Sequence, residues 1–193
     1  MSLTATIIYD ELVERCKQGD VKGYEELYHR YCKAMYNTSL RIVNSTADAE
    51  DVLQESFLSA FSHLHDFDYS STFGAWFKRI VINKSISHLR KKKMALVDLE
   101  ETSVNEYAEP ARAEEENIDL KVVEIKKAMA LLPHGYRTVL SMVLFEKYSY
   151  SEISAALDIS EITVRTQYHR ARQKLLQLLK TEVRNERQTA TIH

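Results

Sequence analysis

Two prolines and four glycines in 193 residues leave little to interrupt helices. That scarcity argues against a turn-rich architecture and for a largely helical protein. Cysteine is as scarce. Cys16 and Cys32 stand alone, without a CxxC spacing or a neighbouring histidine pattern, which excludes a recognisable metal or redox centre and leaves two ordinary thiols. No apolar run approaches the roughly 20 residues of a membrane span, so no membrane insertion is expected. The opening MSLTATIIYDELVERCK has neither the basic start nor the apolar centre of a signal peptide, and a cytoplasmic protein is expected. No Ser/His/Asp constellation, catalytic carboxylate pair or phosphate loop is evident, so neither an enzyme nor a cofactor is expected.

What is present is charge in blocks. The net charge of −2 conceals a stretch, residues 73–93, with seven basic and no acidic residues, followed by 94–124 with two basic and ten acidic. Residues 1–72 are acidic, and 125–193 are basic again. The chain thus has two basic regions separated by an acidic one, which its overall charge conceals.

The sharpest local signal is SYSEISAALDISEITVRTQYHRARQKLLQLL, Ser149 to Leu179. Ser149 followed by Glu152 forms a capping box at a helix start. Asp158 suits the left-handed residue that stops that helix, and Ser160 suits the N-cap of the next. In the second helix Val164, Tyr168, Ala171, Leu175 and Leu178 recur at helical spacing and predict one buried face. The other side collects Arg165, Thr166, His169, Arg170, Gln173 and Lys174, a candidate major-groove face.

Upstream, the spacing predicts a short and a longer helix between Tyr9 and about Arg41, broken at Gly19. A third helix starts at Ser45, with Leu53, Phe57, Ala60, Phe61 and Leu64 as its apolar stripe and Asp48, Asp51, Gln54 and Glu55 on its other side. His65 to Thr72 reads as a loop, and Phe73 to Arg90 as a helix ending in Arg90 to Lys93. Residues 94–118 lack a period and read as an extended linker in which a short helix is allowed. Helices are predicted from about Ile118 to Leu132, and from Pro133, as first helical residue, to about Lys147. The tail NERQTATIH is expected to fray.

In this order the segments resemble the extracytoplasmic-function group of bacterial RNA polymerase sigma factors over nearly the whole chain. DAEDVLQESFLSAF, Asp48 to Phe61, is similar to that family's region 2.2; FGAWFKRIVINKSISHLRKKK, Phe73 to Lys93, to regions 2.3 and 2.4. Leu131 to Leu175 is similar to region 4. The resemblance implies an all-α protein of two small domains: 1–93 as sigma region 2, 94–120 as an acidic flexible linker, 121–183 as region 4 with its helix-turn-helix, and 184–193 as a tail. It implies an alternative sigma factor that binds core RNA polymerase, recognises and melts the minus 10 element and binds the minus 35 element.

By resemblance, Asp51, Gln54 and Glu55 contact the clamp helices of the polymerase's largest subunit; a solvated helix face is the plainer alternative. For single-stranded minus 10 DNA, Lys78, Arg79, Lys84, Arg90, Lys91 and Lys92 supply charge. Phe67, Tyr69 and Phe73, in or beside the loop, supply aromatic surface, and Asn83 is the candidate reader of a flipped base. Trp76, spaced with Ile80, belongs to the apolar face. Arg165, Thr166, His169 and Arg170 face the minus 35 duplex, with Lys174 and Arg172 nearer phosphate or solvent. Ser87, Ser154 and Asp158 depart from the family's usual Asp, Ala and Gly. An anti-sigma inhibitor is a further partner implied by the family.

A 27-residue linker relaxes to roughly 29 Å and stretches to about 90 Å, whereas the two promoter elements lie on the order of 50 Å apart. Something must therefore hold the domains apart, and polymerase is the obvious scaffold. The linker's acid either mimics nucleic acid in the enzyme's RNA channel or merely solvates a spacer. An autonomous helix-turn-helix regulator binding operators as a dimer, and a DNA-processing enzyme such as a recombinase, are the rival readings.

Overall fold

A computed structural model describes residues 10–97 and 120–190, with side chains described through Lys92 in the first stretch and from Val123 to Lys180 in the second. The described residues form eight α-helices and no strand. They are α1 (Glu11–Lys17), α2 (Val21–Val43), α3 (Thr46–Ser62), α4 (Phe73–Val97), α5 (Leu120–Ala130), α6 (His134–Leu144), α7 (Tyr150–Leu157) and α8 (Glu161–Ala190). The chain divides into two units, with α1 to α4 in the first and α5 to α8 in the second.

Local chemistry sets most of the helix ends. Asp10 caps α1 by accepting from the Leu12 amide, Asp20 caps α2 through the Lys22 amide, and Ser45 caps α3 through the Asp48 amide. Between α1 and α2, Gly19 turns with φ 85°, a conformation costly for any side chain bearing Cβ. Asn44 ends α2 in the left-handed region. Thr72 opens α4, its hydroxyl accepting from the Ala75 amide at 3.2 Å.

In the first unit α2, α3 and α4 pack around Leu27, Met35, Leu53, Phe57, Phe77 and Val81, while α1 adds Leu12, Val13 and Cys16. Near the other end Val43, Ala49 and Val52 meet half-buried Leu40 and Leu89. In the second unit Ala128, Met129 and Leu132 from α5 and its end close over Leu140 of α6 and Ala171 and Leu175 of α8. One buried cation belongs to this core. Arg137, 3% exposed, donates from one guanidinium nitrogen to the Leu132 carbonyl at 2.9 Å and, more weakly, to that of Ala130 at 3.5 Å. It thereby satisfies carbonyls at the C-terminal end of α5. Burial pushes its pKa down to about 10, which leaves it charged at neutral pH.

Several boundaries differ from the sequence reading. Helix α3 stops at Ser62, so Leu64, read as the end of its apolar stripe, falls instead in a 3-10 turn, Leu64–Asp66, that leads into the predicted loop and still buries Leu64 fully. Helix α4 runs on to Val97. Pro133 is the N-cap of α6 and not its first residue, and α6 ends at Leu144, after which Lys147 adopts φ 58°. Helix α8 continues to Ala190, through residues expected to fray. Most of the acidic linker, with its allowed short helix, lies outside the described residues.

Candidate nucleic-acid and polymerase interfaces

Helix α3 presents two chemically opposite faces. Val52, Leu53, Ser56, Phe57 and Ala60 are buried, whereas Asp51, Gln54 and Glu55 are exposed together on the other side. The structure adds Leu58, 69% exposed, at the i+7 position from Asp51 and i+4 from Gln54. Its phase, off the Leu53 and Phe57 stripe, is the signal in the sequence that marks it.

Helix α4 splits the basic set in two. Arg79, Asn83, Ser87 and Arg90 recur at steps of four, four and three and form an exposed stripe, with Lys91 exposed beside it. Lys84 and Lys92 instead turn toward α3. The Lys84 ammonium lies 3.9 Å from the Glu55 carboxylate, and that of Lys92 lies 2.8 Å from Asp48. Asp48 also meets His88 at 3.3 Å. Burial raises the Asp48 pKa, but the bonds from Lys92 and His88 outweigh it and hold the carboxyl below its ordinary range. Lys78 is half-buried.

The loop between α3 and α4 corrects part of the sequence reading. Phe67 and Phe73 are each only 2% exposed, so neither ring offers a face to a base in this arrangement. Their centroids lie 5.9 Å apart at 89°, and both contact half-buried Trp76, at 5.3 and 5.6 Å. Burying each ring gains about 2 to 3 kcal/mol, which favours folding the loop back onto the core. Trp76 packs against this core, as its spacing predicts.

Tyr69 remains half-exposed, with a left-handed φ of 61° that is rare for an aromatic residue. Helix α1 holds it there. The Tyr69 hydroxyl donates to the Glu14 carboxylate, and the Lys17 ammonium stands 4.5 Å from the Tyr69 ring centroid while donating to the Phe67 carbonyl at 2.8 Å. Nothing local in the sequence links α1 to this loop about 50 residues away, so sequence reasoning misses Glu14 and Lys17.

The helix-turn-helix follows its sequence signals closely. Ser149 accepts from the Glu152 amide while the Glu152 carboxylate accepts from the Ser149 amide, completing the capping box. Asp158 turns at φ 56° and ψ 49°. The Ser154 hydroxyl donates to the Ile159 carbonyl and ties the turn to α7. The Ser160 hydroxyl then accepts from the Thr163 amide at 3.1 Å and caps α8. Val164, Ala171 and Leu175 are buried, with Tyr168 and Leu178 half-buried, whereas Arg165, Thr166, His169, Arg170, Arg172 and Lys174 are all exposed. The Arg165 guanidinium lies 5.7 Å from the Tyr150 ring centroid, which supports it from α7.

An all-α chain of two units, one carrying a basic helix beside an acidic helix face and the other a helix-turn-helix with a basic outer face, defines a nucleic-acid-binding factor. The family model described as sigma-70 region 2 matches residues 27–94, and that described as sigma-70 region 4 matches 123–175. The chain is 30% identical over 179 residues to the RNA polymerase sigma-H factor of Pseudomonas aeruginosa, covering 86% of this chain and 90% of that protein. It is 28% identical over 177 residues to the ECF RNA polymerase sigma factor SigW of Bacillus subtilis, covering 87% and 95%. Among solved structures, the sigma factor RpoE of Bartonella quintana, in complex with the anti-sigma factor NepR, is similar with a TM-score of 0.61 at 24% identity, covering 83% of this chain and 98% of that one. CnrH, in complex with the cytosolic domain of CnrY, is similar with a TM-score of 0.52 at 25% identity, covering 88% and 96%. The chain belongs to the sigma-70 family of RNA polymerase sigma factors, in its extracytoplasmic-function group. It is a transcription initiation factor that directs promoter recognition, and not an enzyme. No helix among the described residues is long and apolar enough to cross a membrane.

Proposed function

We propose that residues 1–93 bind core RNA polymerase and the minus 10 element, that 94–120 tether, and that 121–183 anchor at minus 35, ahead of a tail at 184–193. Asp51, Gln54 and Glu55 meet the clamp helices of the largest subunit, with Leu58 as an apolar anchor among them. On α4, Arg79, Asn83, Arg90 and Lys91 take single-stranded minus 10 DNA; Lys78, Lys84 and Lys92 border it, and Tyr69 is the loop aromatic still open to a base. Arg165, Thr166, His169 and Arg170 read the minus 35 duplex, with Lys174 on phosphate. The protein acts in the cytoplasm, where polymerase and promoter DNA meet, and an anti-sigma factor is a further partner, as one is for RpoE of Bartonella quintana.

The observation that carries this reading is the juxtaposition on one unit of the exposed Asp51, Gln54, Glu55 and Leu58 face with the exposed Arg79, Asn83 and Arg90 stripe. A regulator that needed only duplex DNA would have no use for either. In-vitro transcription with core polymerase is the test: specific transcripts are expected only when the protein is added. Tight duplex binding without polymerase, and no specific transcript with it, would point to the autonomous regulator.

Two substitutions probe the DNA surfaces separately. Asn83→Ala removes an exposed amide able to donate and accept at once, and is expected to weaken promoter opening and flatten minus 10 preference in a permanganate footprint, leaving polymerase capture intact. An unchanged footprint would move the base reader elsewhere. Arg165→Ala is expected to relax preference at one minus 35 position by about 1 to 3 kcal/mol in competition binding. Uniform weakening across sequences would make Arg165 a phosphate contact.

A further inference from the structure

Ile162 is 79% exposed, more than any other large apolar side chain among the described residues. It sits in the first turn of α8, the part of a recognition helix that reaches base edges in the major groove. It shares a face with Arg165, Thr166 and His169, at i+3, i+4 and i+7.

The rest of that turn has no cation to give DNA. Glu161 is acidic, Val164 is buried, and Thr163 is committed to the N-cap, its hydroxyl 2.8 Å from that of Ser160. Nor does Thr166 have its hydroxyl proton free, because Oγ1 donates to the Ile162 carbonyl at 2.8 Å. What Thr166 has left to offer is a methyl group and an acceptor oxygen. The first turn therefore brings apolar surface into the groove, on a backbone fixed by its cap and flanked by the hydrogen-bonding arms of Arg165 and His169.

In the major groove of B-DNA the one apolar group a base pair presents is the C5-methyl of thymine. We infer that Ile162, assisted by the Thr166 methyl, is a specificity-determining residue that reads a thymine methyl in the minus 35 element. This rests on the reading of α8 as the minus 35 helix. It adds a component of specificity that requires no hydrogen bond, set by one side chain that solvates poorly when the protein is off DNA. Serine or alanine at 162 would keep the helix and lose the preference.

The test uses the full chain bound to core polymerase and a promoter from which it initiates. Each thymine of the minus 35 element, on either strand, is replaced in turn by uracil, which removes the methyl and keeps every donor and acceptor. Wild type is expected to lose about fourfold in affinity at one or two positions, the value of one buried methyl-sized group. The variant Ile162→Ala is expected to bind the thymine promoter about as wild type binds the uracil one and to show no further loss there. Its thermal melt serves as the folding control, since an exposed residue should not move it.

A flat uracil scan in wild type, or the same uracil penalty in Ile162→Ala, overturns the inference. Arg165→Ala distinguishes the two levels. If it alters minus 35 preference while the uracil scan is flat, only the role of Ile162 fails; if Ile162→Ala, Arg165→Ala, Thr166→Ala, His169→Ala and Arg170→Ala all leave that preference unchanged, α8 is not the minus 35 reader.

Discussion

Reversing a single charge on α3, Asp51→Lys, is expected to abolish capture of core RNA polymerase in a pull-down. Asp51 is exposed on a helix whose opposite face is fully committed to the core, so the substitution should change stability by no more than about 0.5 kcal/mol. Its effect must then come through a partner. Truncating one member of a desolvated interfacial charge pair costs about 2 to 5 kcal/mol, and reversal adds repulsion, so affinity should fall by at least on the order of a hundredfold. Glu55→Lys should also abolish capture, but less cleanly, because it places a like charge near Lys84. Leu58→Ala tests the apolar share of the same contact without any change of charge. Undiminished capture by the Asp51 variant, with its helical signal intact, would return this face to solvent.

The second large effect is on stability. Arg137→Leu is expected to destabilise the second unit by about 2 to 3 kcal/mol, read as a drop of about 10 °C or more in its thermal transition. The substitution withdraws the donor from the carbonyls of Leu132 and Ala130, and also the guanidinium nitrogen 2.6 Å from His134 Nδ1. The buried Leu132 carbonyl, which takes the shortest of the bonds to a backbone acceptor, costs about 1 to 3 kcal/mol if left dry. Part is returned because a desolvated charge disappears, as the lowered Arg137 pKa indicates. Arg137→Lys should rescue little, since one ammonium cannot occupy the positions of two guanidinium nitrogens. An unchanged transition would mean that the cost of burying this charge cancels its bonds.

Arg137 also marks where sequence reasoning runs out. The helix-turn-helix is legible to the individual cap because its information is local: Ser149 with Glu152, Asp158 at the turn and Ser160 lie close together in the chain, and the buried face of α8 follows one period. The exposure of Asp51, Gln54 and Glu55 is legible for the same reason. The loop before α4 is not. Phe67 and Phe73 amid polar neighbours look available to solvent, and only the aromatic cluster they form with Trp76 buries them. Likewise, that Lys84 and Lys92 answer to α3, and Tyr69 to α1, are facts of tertiary contact between segments far apart in the chain. Charge content locates the basic helix but cannot sort its lysines by direction.

That sorting bears on how the first unit responds to its partners. On the proposed assignment, a polymerase cation that engages Glu55 competes with Lys84 for that carboxylate and leaves the lysine freer to meet nucleic acid phosphate. On that assignment, occupying either surface would strengthen the other, and thermodynamic reciprocity requires the effect to be equal in both directions. Because both groups of the Lys84 and Glu55 pair are well exposed, each would contribute only a few-fold. The protein would bind the melted strand a little better as a subunit than alone, through a lysine that changes allegiance without any helix moving.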